Sequence, residues 1–175
     1  MSRNQTIVET ERLTIRRLVD TDVPALAALW TDQHVTRFMG GPRVFAEVSA
    51  ALKSDLAVPP QPLDLWPVVE RISQSLVGHC GLMPKIVADR EEIELVYVIA
   101  HQSWGRGYAT EAAIALRDHA FHSLRVSRLI SLIDPSNAAS ERVALKIGMT
   151  REGDTLRPSG KTMLVYVITR VQDQR

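Results

Sequence analysis

Between residues 108 and 124 the apolar side chains recur at helical spacing. Ala109, Ala112, Ala113, Leu116, Ala120, Phe121 and Leu124 share one stripe, while Arg117, Asp118 and His122 fall elsewhere. The pattern predicts a long amphipathic helix. Alternation of Leu13 and Ile15 predicts a strand over 12–18, stopped by Asp20-Thr21-Asp22 before a helix that begins near Pro24 with Asp22 or Thr21 as its cap. A second helix is predicted near 44–57, between Gly40-Gly41-Pro42 and the proline-rich stretch 58–62. The apolar runs 65–72 and 76–83 flank Ser73-Gln74-Ser75 and read as a hairpin, and the polar stretch 85–92 leads into a strand over 93–99.

Beyond the long helix, 128–133 reads as a strand. Asp134-Pro135-Ser136-Asn137 introduces another helix with Gly148 as its C-cap, and a last hairpin uses 150–157 and 162–170 around Pro158-Ser159-Gly160. Strands and helices interleave, with antiparallel hairpins toward both ends, which predicts a mixed α/β (α+β) layered fold in one domain over 1–175.

Composition narrows the function classes. At 175 residues with 45% apolar and 23% charged positions, the chain is long enough for a substantial core. A formal charge of +1 with scattered arginines argues against nucleic acid as a partner. No apolar stretch approaches the roughly eighteen residues that span a bilayer, and the first ten residues lack a secretory apolar region, so no membrane partner and a cytoplasmic location are expected. A single cysteine, Cys80, excludes an internal disulfide, and no Cys/His spacing suggests a metal. Cys80 lies in the apolar run 76–82 and is read as a buried small hydrophobe.

The chemistry concentrates at Trp104-Gly105-Arg106-Gly107-Tyr108-Ala109-Thr110, where a strand-like run gives way to the long helix. Two glycines let backbone approach an anion closely, and the N–H groups of residues 106–109 are early helix donors at the positive end of the dipole. Such a turn cradles a di- or pyrophosphate. It is not a dinucleotide-binding turn of the G-x-G-x-x-G kind, because Thr110 holds the third glycine position and no acidic residue follows about 20 positions on.

The cradle together with Ile93-Glu94-Leu95-Val96-Tyr97-Val98-Ile99 before it, and the block Asn137-Ala138-Ala139-Ser140-Glu141-Arg142-Val143-Ala144-Leu145-Lys146-Ile147-Gly148-Met149 after it, resembles the GNAT acetyltransferases. The likeness is to their RimJ/RimL-like, ribosomal-protein N-acetyltransferase branch. Glu11 to Arg16 and the closing strand 163–170 also fit, so the resemblance covers nearly the whole chain.

The resemblance implies a single mixed, twisted sheet splayed at its centre and flanked by helices. It implies acetyl-CoA as co-substrate, with the pantetheine arm against backbone at Tyr97, Val98 and Ile99 and the phosphates on Gly105, Arg106, Gly107, Tyr108, Ala109 and Thr110. Arg106 ranks first among the cations for a CoA phosphate, ahead of Arg142 and Lys146, and Trp104 is expected to pack at the edge of the site. Asn137 is read as a helix N-cap that also touches CoA.

Two residues are candidates for the chemistry. Strand alternation puts Glu94 on one face with Val96 and Val98, and a carboxylate among apolar neighbours holds its proton more tightly, as a general base requires. Ser140 falls on the apolar stripe of Val143, Ala144 and Ile147, and in the RimL-like branch a serine here lies near the CoA sulfur. Many GNAT enzymes place a tyrosine near the end of this helix as the acid. This chain has Ile147-Gly148-Met149 there, which leaves Ser140 or water.

The five histidines form no catalytic or metal spacing and receive no role. The implied acceptor is a protein N-terminal amine or a small-molecule amine, selected by loops near 32–45, 58–66 and 154–161. A non-catalytic CoA sensor is the competing reading, disfavoured because both Glu94 and Ser140 are present. A homodimer is expected only by analogy with relatives.

Overall fold

The computed structural model describes residues 6–170; the outermost five positions at each end of the expected 1–175 domain lie outside the described residues. Eight strands make one sheet, in the order β1-β2-β3-β4-β5-β6-β8-β7. They are β1 (Thr6–Glu9), β2 (Leu13–Arg16), β3 (Leu65–Glu70), β4 (Leu76–Val87), β5 (Arg90–Ile99), β6 (Arg128–Ile133), β7 (Thr150–Leu156) and β8 (Thr162–Thr169). All neighbours are antiparallel except β5 and β6, joined by the crossover helix α4 (Tyr108–His122). The remaining helices are α1 (Val23–Thr31), α2 (Gln33–Thr36), α3 (Phe45–Asp55) and α5 (Ala138–Lys146), which are numbered with α4 in chain order.

The sheet is covered unevenly. On one face Leu95, Ile99, Leu129 and Ile133 pack with Ala112, Leu116 and Ala120 of α4 and Ala144 of α5. On the other, Val23, Leu26 and Leu29 of α1 and Leu52 of α3 lie against Val98 and Ala100. Beside that second patch Ile130, Val165 and Val167 form a smaller cluster with no helix over it.

Several elements depart from the sequence pattern. The polar stretch 85–92 is not a lead-in: β4 runs to Val87 and β5 starts at Arg90, joined by Ala88 and Asp89, both at positive φ. Charged residues are carried there because the projecting end of the hairpin is solvated. Asp22 does not cap α1 with its side chain. It is buried, and its carboxylate takes two bonds from Arg16 at 2.7 and 2.8 Å and the Val19 N–H at 3.0 Å, so an ion pair outbids the cap. The edge strand β1 and the one-turn α2, capped by Asp32, have no strong periodicity of their own.

Helix α5 follows the pattern closely. Asn137 Oδ1 accepts the Ser140 N–H at 3.1 Å, and beyond the C-cap Ile147 the Met149 N–H reaches the Ala144 carbonyl while Gly148 takes φ +89. Cys80 is fully buried, and burial pushes its thiol up to about 12, which suits the packing role.

One buried titratable group bears on stability. Trp30 Nε1 donates to His79 Nδ1 at 3.0 Å, tying α1 to β4, and burial pushes the His79 imidazole down to about 4. An unfolded imidazole takes its proton near pH 6.5, so the unfolded state binds more protons between about pH 6.5 and 4 and stability falls as pH drops through that window. Urea unfolding should show a loss of about 2 kcal/mol between pH 7 and pH 5. In a His79→Gln variant this contribution should vanish, leaving the effect of His119, which burial also lowers, set against those of Glu94 and Asp64, which burial raises and which act in the opposite sense. An equal drop in both proteins would reject the assignment.

Candidate active site

The ladder between β5 and β6 holds a single paired position, Glu94 opposite Ile130. Just past it, side chains stand where backbone partners would continue the pairing. Ser131 Oγ donates to the Leu95 carbonyl at 2.8 Å, and the Leu132 N–H donates to Glu94 Oε1 at 3.4 Å. The strands then part, which matches the expected splay.

The Ala100 N–H donates to the Val77 carbonyl, and Cys80 Sγ lies 3.8 Å from the Val98 oxygen, so residues 98 and 100 spend their backbone groups on β4. Alternation turns the N–H and C=O of Tyr97 and Ile99 toward the gap instead. Trp104 Nε1 already donates to the Ile99 carbonyl at 2.7 Å. Val98 therefore offers the gap its side chain and not its backbone.

Across the gap, Tyr97 Oη donates to the Ser140 carbonyl at 2.9 Å and so links β5 to the first turn of α5. Burial drives the Tyr97 phenol well above its ordinary range, and it stays a neutral donor. Ser140 is half-buried, and its hydroxyl has no partner among the described residues.

A cleft of about 530 Å³ opens from the splay to the start of α4. Gly105 and Gly107 adopt φ +75 and +82, conformations that L side chains rarely take, and Gly107 is the N-cap of α4. The N–H groups of Tyr108, Ala109 and Thr110 find no acceptor among the described residues and face the cleft mouth as an anion cradle. Tyr97, Val98, Ile99, Trp104, Gly105, the turn 107–110, Asn137, Ser140 and Lys146 all line this one cleft.

Two expected site residues do not line it. Arg106 points away, with Nη2 2.6 Å from Glu70 Oε1 and its guanidinium over the Tyr108 ring. Tyr108 Oη donates to the same carboxylate, and Arg12 covers the other reach of the ring while its Nη1 donates to the Arg106 carbonyl at 2.9 Å. Arg106 thus braces the cradle, and the cations in the cleft wall are Arg142 and Lys146 of α5. Glu94 sits at the root of the splay on the opposite sheet face from Tyr97, its side chain 10% exposed and Lys85 Nζ 3.7 Å away. Burial raises the Glu94 pKa, opposed by the charges of Lys85 and Arg157 and by the Leu132 N–H.

Trp104 is half-exposed in the cleft wall and not simply packed. It meets His101 edge-on at 4.6 Å, and His101 stacks on His34 at 4.4 Å, a row that joins α2 to the cradle. His34 and Met39 are wall residues inside the loop region near 32–45, but the sequence analysis gave neither an individual role, and only three-dimensional proximity singles them out. Phe38, beside them, falls in the loop region expected to face the acceptor. Among the described residues no group of His, Cys, Asp and Glu is placed to hold a metal ion, and no helix is long and apolar enough to cross a membrane.

These features coincide with known proteins. An acetyltransferase (GNAT) domain matches residues 12–150. The Bacillus subtilis protein YkkB is 31% identical over 93% of this chain and 95% of its own length. The N-acetyltransferase p20 of Bacillus licheniformis is 28% identical over 91% of this chain and 93% of its own. The crystal structure of a GNAT-family acetyltransferase from Bacillus anthracis superposes with a TM-score of 0.80 at 27% identity, covering 93% of this chain and 97% of that one. A splayed mixed sheet with an anion cradle, and a domain match across most of the chain, lead to one conclusion: the protein belongs to the GNAT acetyltransferases, in the RimJ/RimL-like group, a family of N-acetyltransferases that use acetyl-CoA.

Proposed function

We propose that the protein transfers an acetyl group from acetyl-CoA directly to a primary amine, either a protein N-terminus or a small molecule, with Glu94 as base and Ser140 beside the leaving sulfur. The observation that carries this reading is the continuity of one cleft from the cradle to the splay, with Ser140 on its α5 side; the Glu94 carboxylate stands outside the cleft lining, at the single β5–β6 pairing where the strands begin to part. The residues fit the carrier. Bare N–H groups at the start of α4 suit a pyrophosphate, Arg142 and Lys146 suit further phosphate charge, and the edges of Tyr97 and Ile99 suit an amide-bearing arm. Acetyl-CoA supplies the activated acetyl group and a thiolate leaving group.

Glu94 takes the proton that the amine nitrogen loses as the new C–N bond forms, directly or through one water. Its raised proton affinity brings it nearer the range where a base is effective. The demand is modest for an α-amine, about a tenth neutral at pH 7, and larger for a lysine-type amine. Ser140 Oγ steadies the departing sulfur with a hydrogen bond; an ordinary hydroxyl is a weak acid, so stabilisation is its role.

Acetyl-CoA-dependent release of free thiol, followed over peptides, amino acids, polyamines and aminoglycosides, tests the activity. Glu94→Gln should lower kcat by about 10²-fold at neutral pH while the acetyl-CoA Kd stays within twofold. Because the working form is the carboxylate, the ratio of wild-type to variant rate should grow from pH 5 upward and level off once Glu94 is deprotonated. A ratio of one at every pH would remove Glu94 from the mechanism.

The cation assignment is checked separately. Combined Arg142→Ala and Lys146→Ala should weaken acetyl-CoA binding about tenfold in calorimetry, roughly 1.4 kcal/mol, with the loss shrinking in high salt. An unchanged Kd would return the phosphates to another part of the cleft.

A further inference from the structure

The cleft has two chemically different sides. Toward α4 and α5 it presents the bare N–H groups of 108–110, the polar side chains of Asn137 and Ser140, and the cations Arg142 and Lys146. Toward α2 it is lined by His34, Val35, Phe38 and Met39, with the Val98 side chain and the Trp104 indole beside them. None of these six carries a carboxylate, an amide or a hydroxyl, and Ser103, which also touches the cleft, is buried. The two sides belong to opposite faces of the sheet: Val35 and Met39 pack with Val98 on the α1 face, whereas Tyr97 and Val143 pack on the α4 face.

The α2 side is held by its own bonds. Asp32 Oδ1 accepts the His34 N–H at 2.7 Å and the Val35 N–H at 3.4 Å, and the fully buried Thr36 donates from Oγ1 to the Asp32 carbonyl at 2.7 Å. The Thr36 carbonyl in turn accepts the Met39 N–H at 2.8 Å and the Gly41 N–H at 3.1 Å, which fixes the chain on both sides of Phe38. The Arg37 guanidinium lies 5.2 Å from the centre of the Phe38 ring. At the other end Trp104 is held by its bond to the Ile99 carbonyl and by the His101 ring, which itself stacks on His34. With the indole N–H satisfied, the exposed 49% of Trp104 offers the cleft an apolar ring.

Fixed aromatic and thioether surface inside a cleft suits recognition, because an apolar planar group covers it with little further loss of side-chain freedom. The charged and amide-bearing parts of acetyl-CoA find partners on the α4 and α5 side and along the β5 edge, which leaves the α2 wall to the acceptor. We infer that the acceptor amine carries an aromatic side group, and that Phe38, Met39 and Trp104 form the surface that binds it. The inference rests on the acetyltransferase reading but not on Glu94 as the base. It selects among the three expected acceptor loops the one at 32–45.

The test follows thiol release with the amides of phenylalanine, leucine, alanine, lysine and glutamate, which share one kind of α-amine. Phenylalanine amide should exceed alanine amide by about tenfold or more in kcat/KM, carried by KM, with leucine amide between them and the two charged amides no better than alanine amide. Phe38→Ala should bring the phenylalanine-to-alanine ratio down to about twofold while the acetyl-CoA Kd stays within about twofold, and Phe38→Leu should keep part of the preference. Calorimetry on protein saturated with CoA should give the same order in binding without turnover, with a negative heat-capacity change for phenylalanine amide. A short peptide amide that begins with phenylalanine identifies the source of the aromatic group: use equal to that of phenylalanine amide points to a protein N-terminus, and poorer use to a small molecule.

Equal use of the phenylalanine and alanine amides, or a preference for a charged side group, overturns the inference and leaves the acetyltransferase reading standing. A Phe38→Ala variant that loses acetyl-CoA affinity and keeps the preference also overturns it, because the wall then serves the carrier. Absence of turnover with Phe38-dependent binding of phenylalanine amide supports the inference and counts against the acetyltransferase reading. Absence of both turnover and binding overturns the inference.

Discussion

The whole arrangement depends on a ladder that is allowed to fail. A parallel pair of strands normally continues until its backbone groups are spent, because unpaired N–H and C=O groups in the interior cost free energy. Here β5 and β6 pair once and then part, and the parting is propped by side chains: Ser131 and Glu94 take the first displaced backbone partners, and Trp104 takes another. The sheet survives because it is held elsewhere, by the full antiparallel β4–β5 hairpin on one side and the β6–β8 pairing on the other. A gap lined by hydrogen-bonding edges is then a permanent feature of the fold, and the cradle lies at its end because α4 must start where β5 stops.

What could be read from the chain was what local chemistry decides. The α4 stripe, the Gly105 and Gly107 turn, and the Asn137 cap each depend on residues within a few positions of one another, and all stand where the pattern puts them. What could not be read depends on partners that the fold, and not the local pattern, brings together. Arg106 looks like a phosphate ligand until Glu70, 36 residues earlier, takes it. Asp22 looks like a cap until Arg16 takes it. The aromatic row of His34, His101 and Trp104 is assembled from an isolated one-turn helix and a loop, with no periodicity to announce it. Charged side chains have several acceptable uses within a few kcal/mol of one another, and only the packed fold chooses.

Burial then sorts the ionisable groups into different kinds. Where enclosure outweighs the pull of any neighbouring charge, as at His79 and Cys80, the neutral form wins and the group behaves as packing. Where enclosure comes with a neighbouring cation, as at Glu94, the charged form is kept within reach of ordinary pH. The same sheet holds both kinds on its adjacent interior strands β4 and β5, and the difference at Glu94 is the lysine beside it.

The brace around Tyr108 has a consequence for motion. Arg12 lies just before β2, at the outer edge of the sheet, and it holds both the Arg106 carbonyl and Glu111 of α4, which also accepts from Thr10. Edge strands are among the first segments to open in a native protein. Since the cradle and this edge are fastened to each other, opening of β1 and β2 loosens the phosphate turn, and by thermodynamic linkage a ligand seated on that turn must slow the fraying of the edge. Backbone amides of the outermost strands, far from any reacting atom, thus become reporters of cofactor occupancy in hydrogen exchange.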